Sequence, residues 1–383
     1  MRPIYLAGLG LTPVGEHWDR GLRQLALEAI LAAQQDLAQR AGPQTPRPEA
    51  VFVGNMLAGQ LSGQEHLGAL VADYAGLRGL EAVTVEAAGA GGAAALRQAV
   101  LAVGSGQLDT ALVVGVEKMT DRVGAGVTAA AATAADTDWE AAQGVTPTAL
   151  AALLMQRYLT TYGRSVADFA GFTVNAHANA KTNPNAMFHN AISAEAYAQA
   201  AMVADPVNMF DAAPDADGAA ALIVTAEPAA VQVLASAVAT DTLALHDRGN
   251  LLEFDAARLA TVRAYQQAGV GPEDLDLFEL HDAYTIFAAL SLEAAGFALP
   301  GQGVTLAQPG AIGRAGRIPI ATFGGLKARG NPGAASGVYQ VAEVAQQLRG
   351  EAGPNQVAGA KLGMAQSLGG AAATAVTTIL ACA

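Results

Sequence analysis

Residues 84–100 read T-V-E-A-A-G-A-G-G-A-A-A-L-R-Q-A-V, an apolar strand that passes through a glycine–alanine turn into a helix. A similar order returns at 330–337, where G-N-P-G-A-A-S-G opens a helix to about Leu348 and an expected strand over 357–364 follows. Glycine-rich helix N-termini expose unpaired backbone N–H groups, which suit an anion or a developing oxyanion. The repeat predicts two related βα halves whose glycine-rich turns face each other.

Apolar runs alternate with amphipathic stretches along the chain, which is typical of an α/β fold. One-face apolar spacing predicts a helix over 21–41. Short apolar runs predict strands at 51–53, 111–115, 219–225, 277–280 and 375–380. From about residue 118 to 211 the pattern changes to helical pieces and polar loops, which indicates an insertion on one face of the sheet.

Composition excludes several classes of protein. The 383 residues are 52% hydrophobic and 14% charged, enough for a large core and unlike a disordered chain. A net charge of −13 disfavours nucleic acid as a partner, and no run approaches the ~18 apolar residues of a membrane span. The start of the chain lacks the features of a secretory signal. The single cysteine, Cys382, excludes an intrachain disulfide or a cysteine-based metal site. We therefore expect a cytoplasmic protein with no nucleic-acid partner, no membrane partner and no metal.

Six short segments, in their order and spacing, carry a resemblance to the thiolase superfamily, in particular to its sterol-carrier-protein-type and archaeal-type branch. They are Gly54-Asn55-Met56, Val85-Glu86-Ala87-Ala88, Val114 to Met119, Asp217-Gly218-Ala219-Ala220, His281-Asp282-Ala283-Tyr284, and Gly324-Gly325-Leu326-Lys327 through Gly337. The resemblance extends over essentially the whole chain. It implies a ligand carried on coenzyme A, as a thioester substrate, and no tightly bound cofactor.

The resemblance also implies an architecture. We expect an α/β, thiolase-like αβαβα five-layer fold with two mixed sheets around buried helices. The N-terminal half would comprise residues 1–117 and 212–240, and the C-terminal half residues 241–383. Residues 118–211 would form a loop domain over the active site. The family assembles as a homodimer or as a tetramer of two dimers, so a homo-oligomer is expected here.

The residues of thiol chemistry are where this sequence departs from the family. In the motif V-E-A-A-C-A-S-G-G the nucleophilic cysteine falls on Gly89, and the histidine of G-H-P-x-G-A-T-G falls on Asn331. The acid/base cysteine of C-x-G corresponds to Ser367, and the alternative cysteine of the sterol-carrier branch to Ala283. Glycine has no nucleophile and asparagine has no useful pKa for proton transfer. Standard thiolase activity is therefore not expected.

An oxyanion-binding apparatus remains after these replacements. The family's first oxyanion hole maps to the backbone N–H groups of Gly89 and Gly369, and its second to Asn331 with the residue at the His281 position. His281 and Tyr284 are the candidate acid or base, against the alternatives of a buried structural histidine and a packed aromatic ring. The other histidines considered, at 66, 177, 189 and 246, have no metal-ligand spacing and are expected on the surface or in loops.

Three functions remain open at this point. The first is a cysteine-independent carbon–carbon lyase, a thiolase-like aldolase that splits a β-hydroxyacyl-CoA and works with a small zinc-ribbon/OB-fold partner that binds acyl-CoA. The second is a non-catalytic acyl-CoA-binding pseudothiolase or scaffold. The third, by similarity alone, is an acetyl-CoA C-acetyltransferase. The polar residues His281 and Asn331 favour the first.

Overall fold

A long mixed sheet forms the centre of the computed structural model, which describes residues 2–42 and 45–383. The strands are β1 Tyr5–Leu11, β2 Ala50–Gly54, β3 Glu81–Val85, β4 Thr110–Glu117, β5 Met202–Ala204, β6 Val207–Asn208, β7 Gly218–Thr225, β8 Val231–Thr240, β9 Leu277–Glu279, β10 Leu362–Gly369 and β11 Thr374–Cys382. The strands β5 and β6 form a separate hairpin.

Helices flank and separate the strands. They are α1 Leu22–Ala41, α2 Leu67–Tyr74, α3 Gly91–Ser105, α4 Gly124–Ala132, α5 Pro147–Tyr162, α6 Ala170–Ala180, α7 Ala194–Ala198, α8 Asp255–Ala268, α9 Thr285–Ala294, α10 Pro309–Ile312 and α11 Ser336–Leu348. In the described part of the chain, none of these helices has the length and apolarity needed to span a membrane.

The strand order is β3-β2-β4-β7-β1-β8-β11-β10-β9, in which the strands from β3 to β1 form a first sheet and those from β8 to β9 a second. Between these two sheets, β1 and β8 pair through only two residue pairs, Tyr5 with Gln232 and Leu6 with Val231. The predicted pair of mixed sheets is therefore present, but a short antiparallel ladder joins the two sheets along one edge.

The helices arrange these strands into five layers. Helices α1 and α2 pack on strands of the first sheet, and α8 packs on β8 and β11 of the second. Helices α3 and α11 contact strands of both sheets and each other, so they form the middle layer. Their approach is close because glycines line it: a Cβ on Gly92 would clash with the Ala334 carbonyl oxygen, and one on Gly337 would lie 2.6 Å from the Ala93 backbone nitrogen. The predicted αβαβα fold is confirmed.

Most of the predicted elements are present, and one is misplaced. The helix over 21–41 and the five short strands lie within a few residues of α1, β2, β4, β7, β9 and β11. The strand over 357–364 is wrong, because β10 begins only at Leu362. Gly359 has φ +72, a left-handed turn that extended backbone cannot contain, so Val357 and Ala360 are buried in a turn.

Candidate active site

The glycine-rich turn after β3 faces the C-terminal half of the molecule. Ala88 adopts a left-handed φ of +49, while Gly89 does not require positive φ. A Cβ built on Gly89 would lie 2.8 Å from the Leu368 carbonyl oxygen and 3.2 Å from Cε1 of His281. The fold therefore places residue 89 directly against His281, although 192 positions separate them in the chain.

These two residues line a cavity of about 130 Å³ between the halves of the molecule. Tyr284, Ala283 and Asn331 also line it, so the three proposed catalytic side chains converge on one space. Pro147 and Leu150 of α5 close it from the side of the insertion.

His281 is held as a neutral imidazole. The side chain is buried at the end of β9, and burial, with a smaller contribution from the positive charge of Arg329, lowers its pKa to about 3. Its Nδ1 has no hydrogen-bond partner among the described residues. Nε2 is the nitrogen nearer to residue 89, 3.5 Å from the Cβ position there. A neutral imidazole in this position can donate a hydrogen bond to a substrate oxygen but is a weak base.

Tyr284 contributes a phenol to the same cavity. It immediately precedes α9, and its ring packs edge-on against Phe287 with centroids 5.1 Å apart. The hydroxyl shares a hydrogen bond of 3.0 Å with the Thr148 hydroxyl. Burial raises the pKa of Tyr284 to about 12, so the phenol keeps its proton at neutral pH and is suited to donating a hydrogen bond.

Asn331 is fixed through both its backbone and its side chain. The backbone N–H donates to the Pro214 carbonyl, and the Ser336 hydroxyl donates to Oδ1 at 3.1 Å. Because Oδ1 is occupied, the Nδ2 amino group is the part of the side chain that remains to donate to a ligand.

The remaining positions that the family resemblance singled out do not line the cavity. Gly369 packs against the Ala87 carbonyl, close behind the Gly89 turn, but its neighbours Leu368 and Gly370 line the cavity instead of Gly369 itself. Ser367 is buried and its hydroxyl donates to Gln340 Oε1 at 2.5 Å. The one cysteine, Cys382, contacts the Leu348 carbonyl at the end of β11 and does not line the cavity.

Asp215 also lines the cavity, and no sequence pattern described above pointed to it. Its backbone forms an isolated bridge with Asn331, and the residue is exposed to solvent while it lines the cavity. Desolvation by the surrounding protein raises the pKa of this carboxyl above its ordinary value. Only its position two residues before Asp217, in one of the six motif segments, could have drawn attention to it. The Asp217 carboxylate accepts hydrogen bonds from the Lys118 ammonium, from the Met119 and Thr120 N–H groups and from the Thr120 hydroxyl, so it holds the turn.

A buried glutamate connects the loop after β2 with the glycine-rich turn before α11. Glu117, at the end of β4, accepts hydrogen bonds from the Asn55 side chain and from the backbone N–H groups of Met56, Leu57 and Ala334. Burial raises its pKa to about 7 despite these donors. This residue fixes the position of the loop after β2 relative to the turn before α11, and so shapes one wall of the cavity.

The four histidines that were expected on the surface or in loops do not all lie there. His66, His189 and His246 are exposed, but His177 is buried on α6, where its Nδ1 is 3.1 Å from the Asn190 carbonyl oxygen. The expectation for His177 was therefore wrong, because α6 turns this side chain towards Phe188, Phe210 and the Asn190 carbonyl. Within residues 2–42 and 45–383, no cluster of three His, Cys, Asp or Glu side chains is arranged to hold a metal.

Comparison with known proteins identifies the family. Residues 4–228 match the family described as "Thiolase, N-terminal domain" and residues 237–382 the one described as "Thiolase C-terminal domain-like". The chain is 42% identical to an acetyl-CoA acetyltransferase of Methanothermobacter thermautotrophicus, over 99% of each chain. It is 31% identical to the benzoylsuccinyl-CoA thiolase subunit BbsB of Thauera aromatica, over 93% of this chain and 91% of that protein.

A solved structure shows the same fold at lower identity. The Ltp2–ChsH2(DUF35) aldolase superposes with a TM-score of 0.84 at 24% identity, over 99% of this chain and 98% of that chain. The family matches cover nearly all of the sequence, and both halves of the fold correspond to them. The chain belongs to the thiolase family.

Proposed function

We propose that this protein is a thiol-independent carbon–carbon lyase that cleaves a β-hydroxyacyl-CoA by a retro-aldol reaction. The observation that carries the proposal is the position of Gly89, which faces His281 and the cavity without a side chain that could attack a thioester. A thiolase requires an activated thiolate at its nucleophile position. A retro-aldol cleavage requires only a base for the hydroxyl group and donors for the enolate oxygen.

The cavity offers donors for that oxygen. Nε2 of His281 and Nδ2 of Asn331 are the side-chain donors that we assign to the thioester oxygen, together with the backbone N–H of Gly89. We also assign the backbone N–H of Gly369 to this oxygen, because Gly369 lies close behind the Gly89 turn. Donors aimed at developing negative charge contribute about 3–4 kcal/mol each in comparable sites. The neutral state of His281 suits this role because it stabilises charge without giving up a proton.

Asp215 is the base that we assign to the substrate hydroxyl. Its carboxylate lies beside Asn331 at the cavity mouth, and its raised pKa makes it a stronger base than an ordinary aspartate. His281 and Tyr284 are the other candidates, but a pKa of about 3 makes the imidazole a weak base, and a pKa of about 12 keeps the phenol protonated. In this assignment Tyr284 orients the hydroxyl and donates to the carbonyl oxygen that forms.

The reaction balances without an oxidant or a second substrate. Asp215 takes the hydroxyl proton, the O–H electron pair forms a carbonyl, and the bond between the α and β carbons breaks. Its electron pair moves into the thioester enolate, which His281 and Asn331 stabilise. The proton held by Asp215 then returns to the enolate carbon. The products are a free aldehyde or ketone and a shortened acyl-CoA.

The proposal extends to organisation and partners. The insertion over residues 118–211 acts as the loop domain, because Pro147 and Leu150 border the cavity. Residues 1–117 with 212–240, and 241–383, are the two halves. The solved structure of similar fold is named as an Ltp2–ChsH2(DUF35) aldolase, a name that joins two proteins. This supports a small zinc-ribbon/OB-fold partner for this chain as well. The partner would bind a homodimer or a tetramer of this chain.

A non-catalytic acyl-CoA-binding role is the second candidate, and one observation favours it. The cavity of about 130 Å³ is smaller than the ~300–1,000 Å³ of most ligand pockets, so an acyl group needs movement of its walls. The name of the Methanothermobacter relative supports acetyl-CoA C-acetyltransferase activity. That reaction needs a nucleophilic thiol, and this chain has glycine at position 89.

Product analysis tests the proposal. The protein, with and without its zinc-ribbon partner, is incubated with 3-hydroxy-3-phenylpropanoyl-CoA. The lyase predicts equal amounts of benzaldehyde and acetyl-CoA. Binding of the substrate with no cleavage under either condition supports the pseudothiolase and contradicts the lyase.

A further inference from the structure

A second cavity lies beside the first and is considerably larger. Its volume is about 580 Å³, within the ~300–1,000 Å³ range of small-molecule pockets. It lies between α6, the segment 188–192, the β5–β6 region and the segment 209–215, and Lys327 lines it from the C-terminal half. Ala213 and Asp215 separate it from the first cavity, because both residues line the two spaces.

Lys327 brings a buried positive charge to this cavity. The residue is 2% exposed, and its ammonium donates one hydrogen bond to the Asp211 backbone carbonyl. Among the described residues, no carboxylate lies within 4 Å of this nitrogen. Burial lowers the pKa of Lys327 to about 8. An ammonium group has three N–H donors, so the one bond to a neutral carbonyl leaves two N–H groups for a ligand. A negatively charged ligand would also offset the free-energy cost of burying the ammonium charge.

Aromatic and apolar side chains form the wall opposite this charge. The rings of His177 and Phe188 are stacked, with centroids 5.9 Å apart and planes 16° from parallel, and Phe210 meets His177 edge-on at 6.2 Å. Ile192, Val203 and Met209 complete an apolar lining. Burial lowers the pKa of His177, so its ring belongs to the neutral wall. The wall therefore fits a flat or aliphatic apolar body.

We propose that this second cavity binds an apolar monocarboxylate, with the carboxylate on the Lys327 ammonium and the apolar body against the stacked rings of His177 and Phe188. One charge on the ligand is favoured over two, because the Asp215 carboxylate lies at the end of the cavity next to the first one. Two acidic residues lie near Lys327, and both already accept hydrogen bonds from other groups. Asp211 accepts from the hydroxyls of Tyr197 and Thr285. Asp282 accepts from the Leu326 N–H. The site is independent of the proposed lyase reaction, because binding requires no turnover.

Calorimetry with a matched pair of probes tests the charge requirement. The acid 4-phenylbutyrate and its amide share one apolar body and differ in charge. At pH 7 the acid is expected to bind at least about tenfold more tightly, as a charge-assisted hydrogen bond in a buried site provides. Equal affinity of the two probes would overturn the proposal.

Variants locate the binding. Lys327→Met should remove the preference for the acid, whereas Lys361→Met, which alters an exposed lysine, should keep it. Ile192→Trp should fill the second cavity and abolish binding of both probes, and Ala131→Trp should fill the first cavity without effect. Loss of acid binding in Ala131→Trp with retention in Ile192→Trp would contradict the assignment.

The wild-type protein provides a test that does not depend on the folding of any variant. Since the ammonium must be charged to prefer the acid, the ratio of the two affinities should decrease as the pH rises beyond 8, with ligand binding delaying the decrease. A ratio that stays constant from pH 7 to 10.5 would exclude Lys327 as the anion-binding group.

Discussion

Asp215 is the residue on which the proposed chemistry depends, and sequence reasoning could not select it. Gly89, His281 and Asn331 were identifiable because each occupies a motif position, and the fold brings all three to one cavity. Asp215 occupies no such position. Its importance comes from its proximity to Asn331 and from an isolated backbone bridge that only the folded chain forms.

Replacement of Asp215 by asparagine keeps the size of the side chain and removes the base. We expect Asp215→Asn to lower kcat/KM of β-hydroxyacyl-CoA cleavage by about 10²–10⁴-fold, the usual contribution of a general base. The melting temperature should change little because the residue is exposed. Asp19→Asn, at an exposed aspartate far along the chain, is the control. Unchanged cleavage by Asp215→Asn would remove this residue from the mechanism.

The same assignment makes a prediction about pH. The base must be ionised, so kcat/KM of the wild type should decrease as the pH falls through the pKa of Asp215, and this decrease should begin above the pH at which an ordinary aspartate is protonated. A pH–rate profile measures it. An acid limb that persists unchanged in the residual activity of Asp215→Asn would assign the limb to another group.

His281 should leave a signature in stability. Its pKa is near 6.5 in the unfolded chain and about 3 in the fold, so between these values only the unfolded chain takes up the proton. The free energy of unfolding of the wild type should therefore fall relative to His281→Gln by up to about 1.4 kcal/mol per pH unit as the pH drops below 6.5. Urea denaturation at several pH values measures it, with His189→Gln as the exposed control. Parallel curves for wild type and His281→Gln would show that the histidine is not held neutral.

At the scale of elements, the turn between β3 and α3 decides what chemistry the fold permits. This turn and the similar turn before α11 could be predicted from the sequence, because both are rich in glycine and alanine. The misplaced strand at 357–364 shows the limit of such patterns. Its apolar residues are buried as expected, but in a turn that Gly359 imposes. Similarly, the short β1–β8 ladder depends on the meeting of two distant strands, which no local pattern encodes.

Restoring a thiol tests what this turn can still do. In Gly89→Cys the new side chain would lie beside His281, and the backbone φ does not require glycine, but the Leu368 carbonyl 2.8 Å from the Cβ must move. We expect a loss of about 1–3 kcal/mol in stability. Combined with Asn331→His, which supplies the missing base, the variant should become acylated by acetyl-CoA, and each single variant much less.

Intact-protein mass spectrometry measures the adduct. A folded double variant that contains an unreactive thiol and no acetyl group would show that residue 89 does not occupy a nucleophile position, or that the surrounding site has been remodelled.

At the scale of the whole molecule, β3 forms one end of the sheet, with an edge that no described strand covers. Its residues are among the most exposed of the long sheet, and Val83 is 39% exposed. An uncovered edge strand is a template for pairing with another chain. We therefore expect a two-fold dimer that pairs or packs through β3.

Light scattering should give twice the 38.6 kDa mass of one chain, or four times that mass for a tetramer. Val83→Lys should shift the protein towards the monomer, whereas Leu299→Lys, at another exposed apolar residue, should not. A wild-type monomer at micromolar concentration would contradict the dimer, and a dimer insensitive to Val83→Lys would place its interface elsewhere.

The dependence of cleavage on free coenzyme A distinguishes the two reactions, because thiolysis consumes free coenzyme A and retro-aldol cleavage does not. Initial rates are measured with 3-hydroxy-3-phenylpropanoyl-CoA, and with acetoacetyl-CoA, at increasing concentrations of coenzyme A. For the proposed lyase we expect release of benzaldehyde at a rate that needs no added coenzyme A, and no cleavage of acetoacetyl-CoA at any concentration of coenzyme A. Cleavage of acetoacetyl-CoA that requires coenzyme A and passes through an acylated protein would contradict it.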